Sequence, residues 1–249
     1  MRYFIELAYN GKMYHGWQNQ PDTVSVQEVL EKGLSILLTS NVSITGAGRT
    51  DAGVHATQMF AHFDSDVIFE EENLAFRLNA FLPKDIVIYS IFKVNSEAHA
   101  RFDATSRSYL YRVSTIKNPF STDDAYFFRP ELDIEVMNKA CEVLFEYHDF
   151  QCFSKSNTDV KTYNCEIKSA SWKQVRDELH FEISADRFLR NMVRAIVGTM
   201  IEIGTGKISI EDLHDIIKSK DRSQAGYSVP AHGLYLTKIE YPETIKLDE

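Results

Sequence analysis

The first strand-like segment of the chain has an alternating pattern, in which Tyr3, Ile5, Leu7 and Tyr9 alternate with Phe4, Glu6 and Ala8. Tyr3, Ile5, Leu7 and Tyr9 share one face if this segment is extended, which predicts a half-buried strand. Helical and alternating patterns then predict the order strand, helix, strand, strand, helix, strand over about the first 95 residues. That order is typical of the ferredoxin-like unit.

The first half also carries clear helix and strand signals. Ser25 precedes Glu28 by three residues, which predicts a capping box before a helix whose apolar stripe runs over 26–38. A second helix is predicted over 73–81 and a strand over 86–94.

The second half contains a further cycle of strands and helices. The predicted elements are a strand over 109–113, a helix over 134–147, a hairpin of 169–175 and 179–185, helices over 187–203 and 210–217, and a strand over 234–241. We therefore predict an α+β protein of two ferredoxin-like (RRM-like) halves, 1–100 and 101–249, each a sheet covered by helices.

Composition places the chain among ordinary globular proteins. It has 249 residues, 44% of them hydrophobic and 25% charged, and no apolar run approaches the roughly 20 residues of a membrane span. The N-terminus shows no signal-peptide pattern. The three cysteines, Cys141, Cys152 and Cys165, fit neither a disulfide framework nor a zinc site. We therefore expect a reduced, cytoplasmic protein.

The net charge of −9 argues against a nucleic-acid partner, because a basic surface is the usual sign of an RNA-binding protein. The charges are unevenly distributed, however, and 98–117 carries a group of cations: Arg101, Arg107, Arg112 and Lys117. Local charge governs contacts with phosphates, so RNA binding remains open.

A glycine-rich loop with one central acid lies between two predicted strands. Residues 45–55 read Thr-Gly-Ala-Gly-Arg-Thr-Asp-Ala-Gly-Val-His, which places Asp51 between Arg49 and His55. The loop lacks the third glycine of a dinucleotide-binding fingerprint and the Gly-Lys-Ser/Thr of a P-loop. A plain turn with a solvated aspartate is one interpretation. The nearby arginine and histidine favour another, a rigid loop that presents Asp51 to a cleft.

Aromatic residues and arginines alternate in a second segment, 100–111. This pattern suits the entrance of a strand, where tyrosines are common. It equally suits contacts with an unstacked base and its phosphates.

A third segment, 187–198, would form an amphipathic helix. Helical spacing places Arg187, Arg190 and Arg194 in one narrow sector of its surface. That sector is either a solvated cationic face or a contact site for carboxylates or phosphates.

These segments resemble the motifs of a known enzyme family. Residues 46–55, 100–111, 187–198 and 229–236 resemble, in order and at compatible spacing, four motifs of the tRNA pseudouridine synthase A family. The resemblance covers nearly the entire chain.

The resemblance implies a role for several residues of this sequence. Asp51 is the expected nucleophile, Tyr109 lies against the target uracil and assists proton transfer, and Arg194 pairs with Asp51. His232 is expected to be structural. The expected substrate-binding residues are Tyr109, Arg49, Arg101, Arg107, Arg187 and Arg190.

The resemblance also implies an activity and partners. We expect an isomerase that converts uridine to pseudouridine in the anticodon stem-loop of tRNA, at tRNA positions 38, 39 and 40. Substrate and product are isomers, so no cofactor and no metal are expected. The family further implies a homodimer, and two halves that share a central, mostly antiparallel sheet with the active cleft between them.

Two questions remain open at this stage. Asp51 would attack either C1′ of the ribose or C6 of the base, making a covalent intermediate or assisting a glycal path, and the sequence does not choose between these routes. The alternatives to a synthase are a non-catalytic RNA-binding protein and a hydrolase or transferase with an aspartyl nucleophile.

Overall fold

The computed structural model describes residues 1–155 and 160–247, which fall into two compact units. The first unit comprises Met1–Ser106 and the C-terminal segment from Tyr235, and the second comprises Arg107–Leu234. The strands are β1 (Arg2–Tyr9), β2 (Thr45–Gly46), β3 (His55–Asp64), β4 (Ile86–Val94), β5 (Ser106–Ser114), β6 (Tyr126–Phe127), β7 (Ile167–Val175), β8 (Glu178–Ala185) and β9 (Leu234–Glu240). The α-helices are α1 (Val26–Leu38), α2 (Glu71–Phe81), α3 (Ile134–Leu144), α4 (Met192–Gly204) and α5 (Ile210–Ser219).

The sheet of the first unit has the strand order β4-β1-β3-β9, and β2 also pairs with β3. β1 runs antiparallel to both neighbours, with Ile5 opposite Ala61 on β3 and Ile91 on β4. β9 is parallel to β3. The predicted chain order of strand, helix, strand, strand, helix, strand is confirmed, and β4 has the predicted bounds.

The prediction of a half-buried β1 is wrong, because both faces of this strand are covered. Tyr3 and Ile5 are buried on one face, and Phe4 is equally buried on the other. The ring of Tyr241 packs edge-on against Phe4 with centroids 5.3 Å apart, and its hydroxyl donates to the carbonyl of Ala100 at 2.6 Å. A distant C-terminal residue therefore covers a face that the local pattern predicted to be solvated.

In the second unit, β5, β8 and β7 form an antiparallel sheet in that order, and β6 pairs parallel with β5. The predicted β7–β8 hairpin is confirmed, and its turn contains Arg176 in the left-handed region at φ +54°. The mixed α and β composition and the mostly antiparallel strand pairing agree with the predicted fold class.

Helix starts follow the capping residues. Ser25 accepts the backbone N–H of Glu28 before α1, which confirms Ser25 as the cap of the predicted helix. Ser209 and Asp212 form a reciprocal capping box before α5. These side chains satisfy N–H groups that have no partner within a helix.

The predicted helix from Arg187 begins five residues later, at Met192. Asn191 adopts a left-handed conformation at φ +69°, which an α-helix does not continue through. The Asp186 carboxylate also accepts the backbone N–H of Arg187 at 2.7 Å, so this N–H is satisfied by a side chain outside a helix. Arg187 and Arg190 therefore do not share a helical face with Arg194.

Each unit has an asparagine that covers the outer edge of its sheet. The Asn79 side chain on α2 donates to the carbonyl of Ile88 on β4 and accepts its N–H, both at 2.8 Å. The Asn138 side chain on α3 bonds to both backbone groups of Trp172 on β7 in the same way, at 3.1 and 2.8 Å. Exposed strand edges invite pairing with other chains, so these amides protect them.

His62 on β3 is a buried acceptor beneath the segment that leads out of the first unit. Its Nδ1 accepts the backbone N–H of Ala100 at 3.1 Å. Burial lowers the pKa of His62 to about 4, and the nearby His99 ring contributes in the same direction. The other charged groups that act on it are Arg2, which lowers its pKa, and Asp64 and Asp103, which raise it.

We predict that His62 makes the protein less stable in mild acid. The unfolded chain takes up a proton near the ordinary His pKa of about 6.5, whereas the folded protein resists protonation down to about pH 4. The melting temperature should therefore fall through this window as the pH is lowered. His62→Asn, which keeps an acceptor, should show a shallower fall, and the exposed His15→Asn should follow the wild type. Identical pH profiles for His62→Asn and wild type would contradict the prediction.

Candidate active site

The loop between β2 and β3 carries Asp51 and is held by the segment that follows β1. The hydroxyls of Tyr9 and Thr50 are hydrogen-bonded at 2.8 Å. The carbonyl of Thr50 accepts the N–H of Trp17 at 3.2 Å, and the N–H of Gly53 donates to the carbonyl of Tyr14 at 3.3 Å. The residues on both sides of Asp51 are thus anchored by backbone and side-chain hydrogen bonds.

Glycines allow this close approach of the two segments. A Cβ on Gly16, which has φ +86°, would lie 2.3 Å from the carbonyl oxygen of Thr50. A Cβ on Gly46 would lie 2.4 Å from the indole ring of Trp17. Both contacts are shorter than any side chain tolerates, so the loop depends on glycine at these positions.

Gly48 differs from these glycines. No heavy atom among the described residues lies within 4 Å of a Cβ built on it, and its φ is not positive. Neither packing nor backbone conformation requires glycine there. The space beside this residue, three positions before Asp51, is open.

His55 supports the loop from within the fold. Its ring is buried, and Nδ1 accepts the N–H of Gly11 at 3.1 Å. The ring stacks on Tyr235 with centroids 4.6 Å apart. These contacts give His55 a structural role, although its position near Asp51 in the sequence favoured a part in the chemistry of the loop. Asp51 itself is half-buried, and Arg49 is exposed.

Tyr109 and Arg194 belong to the second unit. Tyr109 lies on β5 opposite Ile183, and its ring packs edge-on against Phe188 with centroids 5.1 Å apart. Arg194 lies in the first turn of α4, where its Nε donates to the carbonyl of Val229 at 2.7 Å. Both side chains are half-buried and are held by neighbours within their unit.

The remaining arginines of the predicted site differ in exposure and in their contacts. Arg107 donates from Nη1 to the carbonyl of Asp186 at 2.9 Å. Arg190 is exposed, and its carbonyl accepts the N–H of Lys155. Arg101 is exposed in the first unit, with its guanidinium 5.6 Å from the ring centre of Phe102.

Sequence reasoning missed the residues that support these side chains. Tyr9, Thr50 and Gly16 hold the Asp51 loop, and the carbonyl of Val229 orients Arg194. The aromatic composition of 14–18 was the only local signal, and it does not reveal which loop this segment contacts.

The cysteines are unsuited to nucleophilic chemistry. All three are buried and unpaired by disulfides, and burial raises the pKa of each thiol to about 12. A thiol with such a pKa is protonated near neutral pH and reacts slowly.

Among residues 1–155 and 160–247, no group of three His, Cys, Asp or Glu residues is arranged to hold a metal ion. No described helix is long and apolar enough to cross a bilayer.

Comparison with known proteins identifies the class of enzyme. The family profile described as tRNA pseudouridine synthase matches residues 7–103 and 140–242, which include the Asp51 loop and α4. The chain belongs to the tRNA pseudouridine synthase family.

Proteins named tRNA pseudouridine synthase A are similar to this chain over its whole length. The protein from Parabacteroides distasonis is 54% identical, over 98% of this chain and 97% of its own. That from Bacteroides thetaiotaomicron is 51% identical, over 100% and 93%. That from Porphyromonas gingivalis is 52% identical, over 99% of both.

We predict that Gly16 is required for a stable Asp51 loop. Gly16→Ala adds both left-handed strain and a clash with the Thr50 carbonyl, so its melting temperature should fall clearly. Gly206→Ala is the matched control, because Gly206 has φ +71° and no described heavy atom within 4 Å of a built Cβ. The control should lose only about 1–2 kcal/mol through strain. Equal losses in the two variants would show that the loop contact is unimportant.

Proposed function

We propose that this protein isomerises uridine to pseudouridine in the anticodon stem-loop of tRNA, with Asp51 as the nucleophile. The observation that carries the proposal is the rigid, half-buried position of Asp51 in a loop matched by the family profile. Relatives of more than 50% identity carry the name tRNA pseudouridine synthase A, which supports the same substrate.

The reaction conserves all atoms of the substrate. The bond between C1′ and N1 of uridine breaks, the uracil turns, and a bond forms between C1′ and C5. The proton on C5 leaves, and N1 gains a proton. Asp51 forms the covalent intermediate at C1′ or C6, or assists the departure of the base. Because no oxidation or phosphate transfer occurs, we propose no cofactor and no metal.

We propose that Arg194 and Tyr109 complete the site. Arg194 pairs with the Asp51 carboxylate, and the hydrogen bond from its Nε to Val229 supports a fixed orientation of the guanidinium. Tyr109 forms a wall for the flipped-out uracil and accepts or relays the C5 proton. Packing of its ring on Phe188 supports this role, because a stacking wall must be held in place.

Further parts of the proposal concern binding and assembly. Arg49, Arg101, Arg107, Arg187 and Arg190 bind tRNA phosphates. The two halves, 1–100 and 101–249, are ferredoxin-like and share a central sheet with the active cleft between them. The protein is a cytoplasmic homodimer. The strand–helix order supports the ferredoxin-like halves, and the resemblance to the family implies the other points.

The decisive experiment follows tritium release from tRNA labelled at uridine C5. Wild type should release tritium, and Asp51→Asn should release none while keeping its fold and tRNA affinity.

Arg194→Ala should keep its melting temperature and lose most of its turnover, and the hairpin-turn variant Arg176→Ala should behave as wild type. A folded wild type that binds tRNA but releases no tritium would instead be a non-catalytic RNA-binding protein. Near-normal turnover of Arg194→Ala would remove this residue from the site.

We predict that Gly48 provides clearance for the substrate. Gly48→Ala should keep or slightly raise the stability, by about 0.4–1 kcal/mol, because the unfolded chain loses freedom and nothing clashes in the fold. If tRNA approaches the open space beside this residue, the KM for tRNA should rise in Gly48→Ala and more in Gly48→Val. Gly46→Ala is the contrasting control, whose melting temperature should fall because of Trp17. Wild-type KM values in both Gly48 variants would contradict the clearance role.

A further inference from the structure

Two side chains from different parts of the second unit converge on one hydroxyl. The side-chain amide of Asn191, which precedes α4, donates to Oγ of Ser228 at 2.6 Å. The Nη2 group of Arg222 donates to the same oxygen at 2.8 Å. We call Asn191, Arg222 and Ser228 the clamp.

Arg222 also holds the chain that leads to Ser228. Its Nη1 group donates to the carbonyls of Ala225 and Gly226, at 3.2 and 3.0 Å. One half-buried guanidinium therefore bonds to three acceptors along a single turn. The planar arginine head suits this task because its donors have a fixed geometry.

The clamped turn lies directly on α4. The N–H of Gly226 donates to Oγ1 of Thr199 at 2.9 Å. A Cβ on Gly198 would lie 1.8 Å from the carbonyl oxygen of Tyr227, so the turn and the helix approach as closely as backbones can. A displacement of the turn would therefore also displace the first turns of α4.

The residue after Ser228 makes the link to Arg194. Val229 is fully buried, and its N–H donates to the carbonyl of Arg194 at 3.3 Å. In return, Nε of Arg194 donates to the carbonyl of Val229 at 2.7 Å. The clamp thus fixes the acceptor that sets the direction of the Arg194 guanidinium.

We propose that Arg222, Ser228 and Asn191 are positioning residues that orient Arg194 for its pairing with the catalytic carboxylate. This inference rests on the proposed function for its catalytic consequence. Its structural part, that the clamp controls the Arg194 hydrogen bond, can be tested without activity. A clamp that merely stabilised the fold would affect unfolding and leave Arg194 unchanged.

The kinetic test compares Ser228→Ala with Ser228→Thr. Loss of the hydroxyl should lower kcat for tRNA by about tenfold or more, since a misaligned hydrogen-bonding group loses much of its effect. KM should change less than about twofold, because tRNA binding does not depend on this orientation. Ser228→Thr keeps the hydroxyl and should restore most of kcat. The control is Asn138→Ala, which removes the two side-chain hydrogen bonds to the backbone of Trp172. It should lower the melting temperature and leave kcat unchanged.

Two further measurements separate a positioning role from a structural one. In an Arg194→Lys background, Ser228→Ala should cause little additional loss of kcat, because both changes break the same link. In ¹⁵N-labelled protein, the Nε–H resonance of Arg194, assigned by its disappearance in Arg194→Lys, should shift and exchange faster with water in Ser228→Ala than in Asn138→Ala.

The outcomes distinguish the two proposals. Additive losses of kcat, or an unchanged Arg194 resonance in Ser228→Ala, would overturn the positioning role while the synthase activity stood. A wild type without tritium release would overturn the proposed function, and the Arg194 resonance would still decide whether the clamp orients this side chain.

Discussion

The hydrogen bonds of Thr50 to the last residue of β1 and to the segment after it are the constraint on which the proposed chemistry depends. Thr50, the residue before Asp51, is hydrogen-bonded through its hydroxyl to Tyr9 and through its carbonyl to the N–H of Trp17. These two bonds restrain its position. A catalytic carboxylate must be held to within a fraction of an ångström to act as a nucleophile. Gly16 serves the same end because it lets two backbones meet without an intervening side chain, and the buried His55 ring holds the N–H of Gly11.

In the second unit, the side chain that needs a defined position is Arg194, and a backbone carbonyl orients it. Arg194 lies on a helix, which is rigid, but a long side chain on a helix can still adopt several rotamers. The carbonyl of Val229 selects one of them, and a turn packed against Gly198 and held by Arg222 fixes that carbonyl. In each unit, hydrogen bonds to a segment distant in sequence thus hold the Asp51 loop or the Arg194 side chain, which the proposed function uses.

Predictions succeeded where neighbouring residues decide the structure. The bounds of β4 and the cap of α1 at Ser25 follow from alternation and from one hydroxyl, and both are confirmed. The predicted helix start at Arg187 is wrong because Asn191 adopts a left-handed conformation directly before Met192. The solvated face predicted for β1 is wrong because Tyr241, far away in sequence, covers Phe4.

The sequence by itself determined the order of elements over the first 95 residues, the mixed class of the fold and the family, because caps, periodicity and short motifs are local properties of the chain. It also indicated which acid and which cation to consider. Only the tertiary structure decided that His55 is a buried acceptor, that Gly16 permits a contact whereas Gly48 faces open space, and that Ser228 bonds to Asn191. These facts depend on which distant segments meet, and distances between remote residues are not encoded in any local pattern.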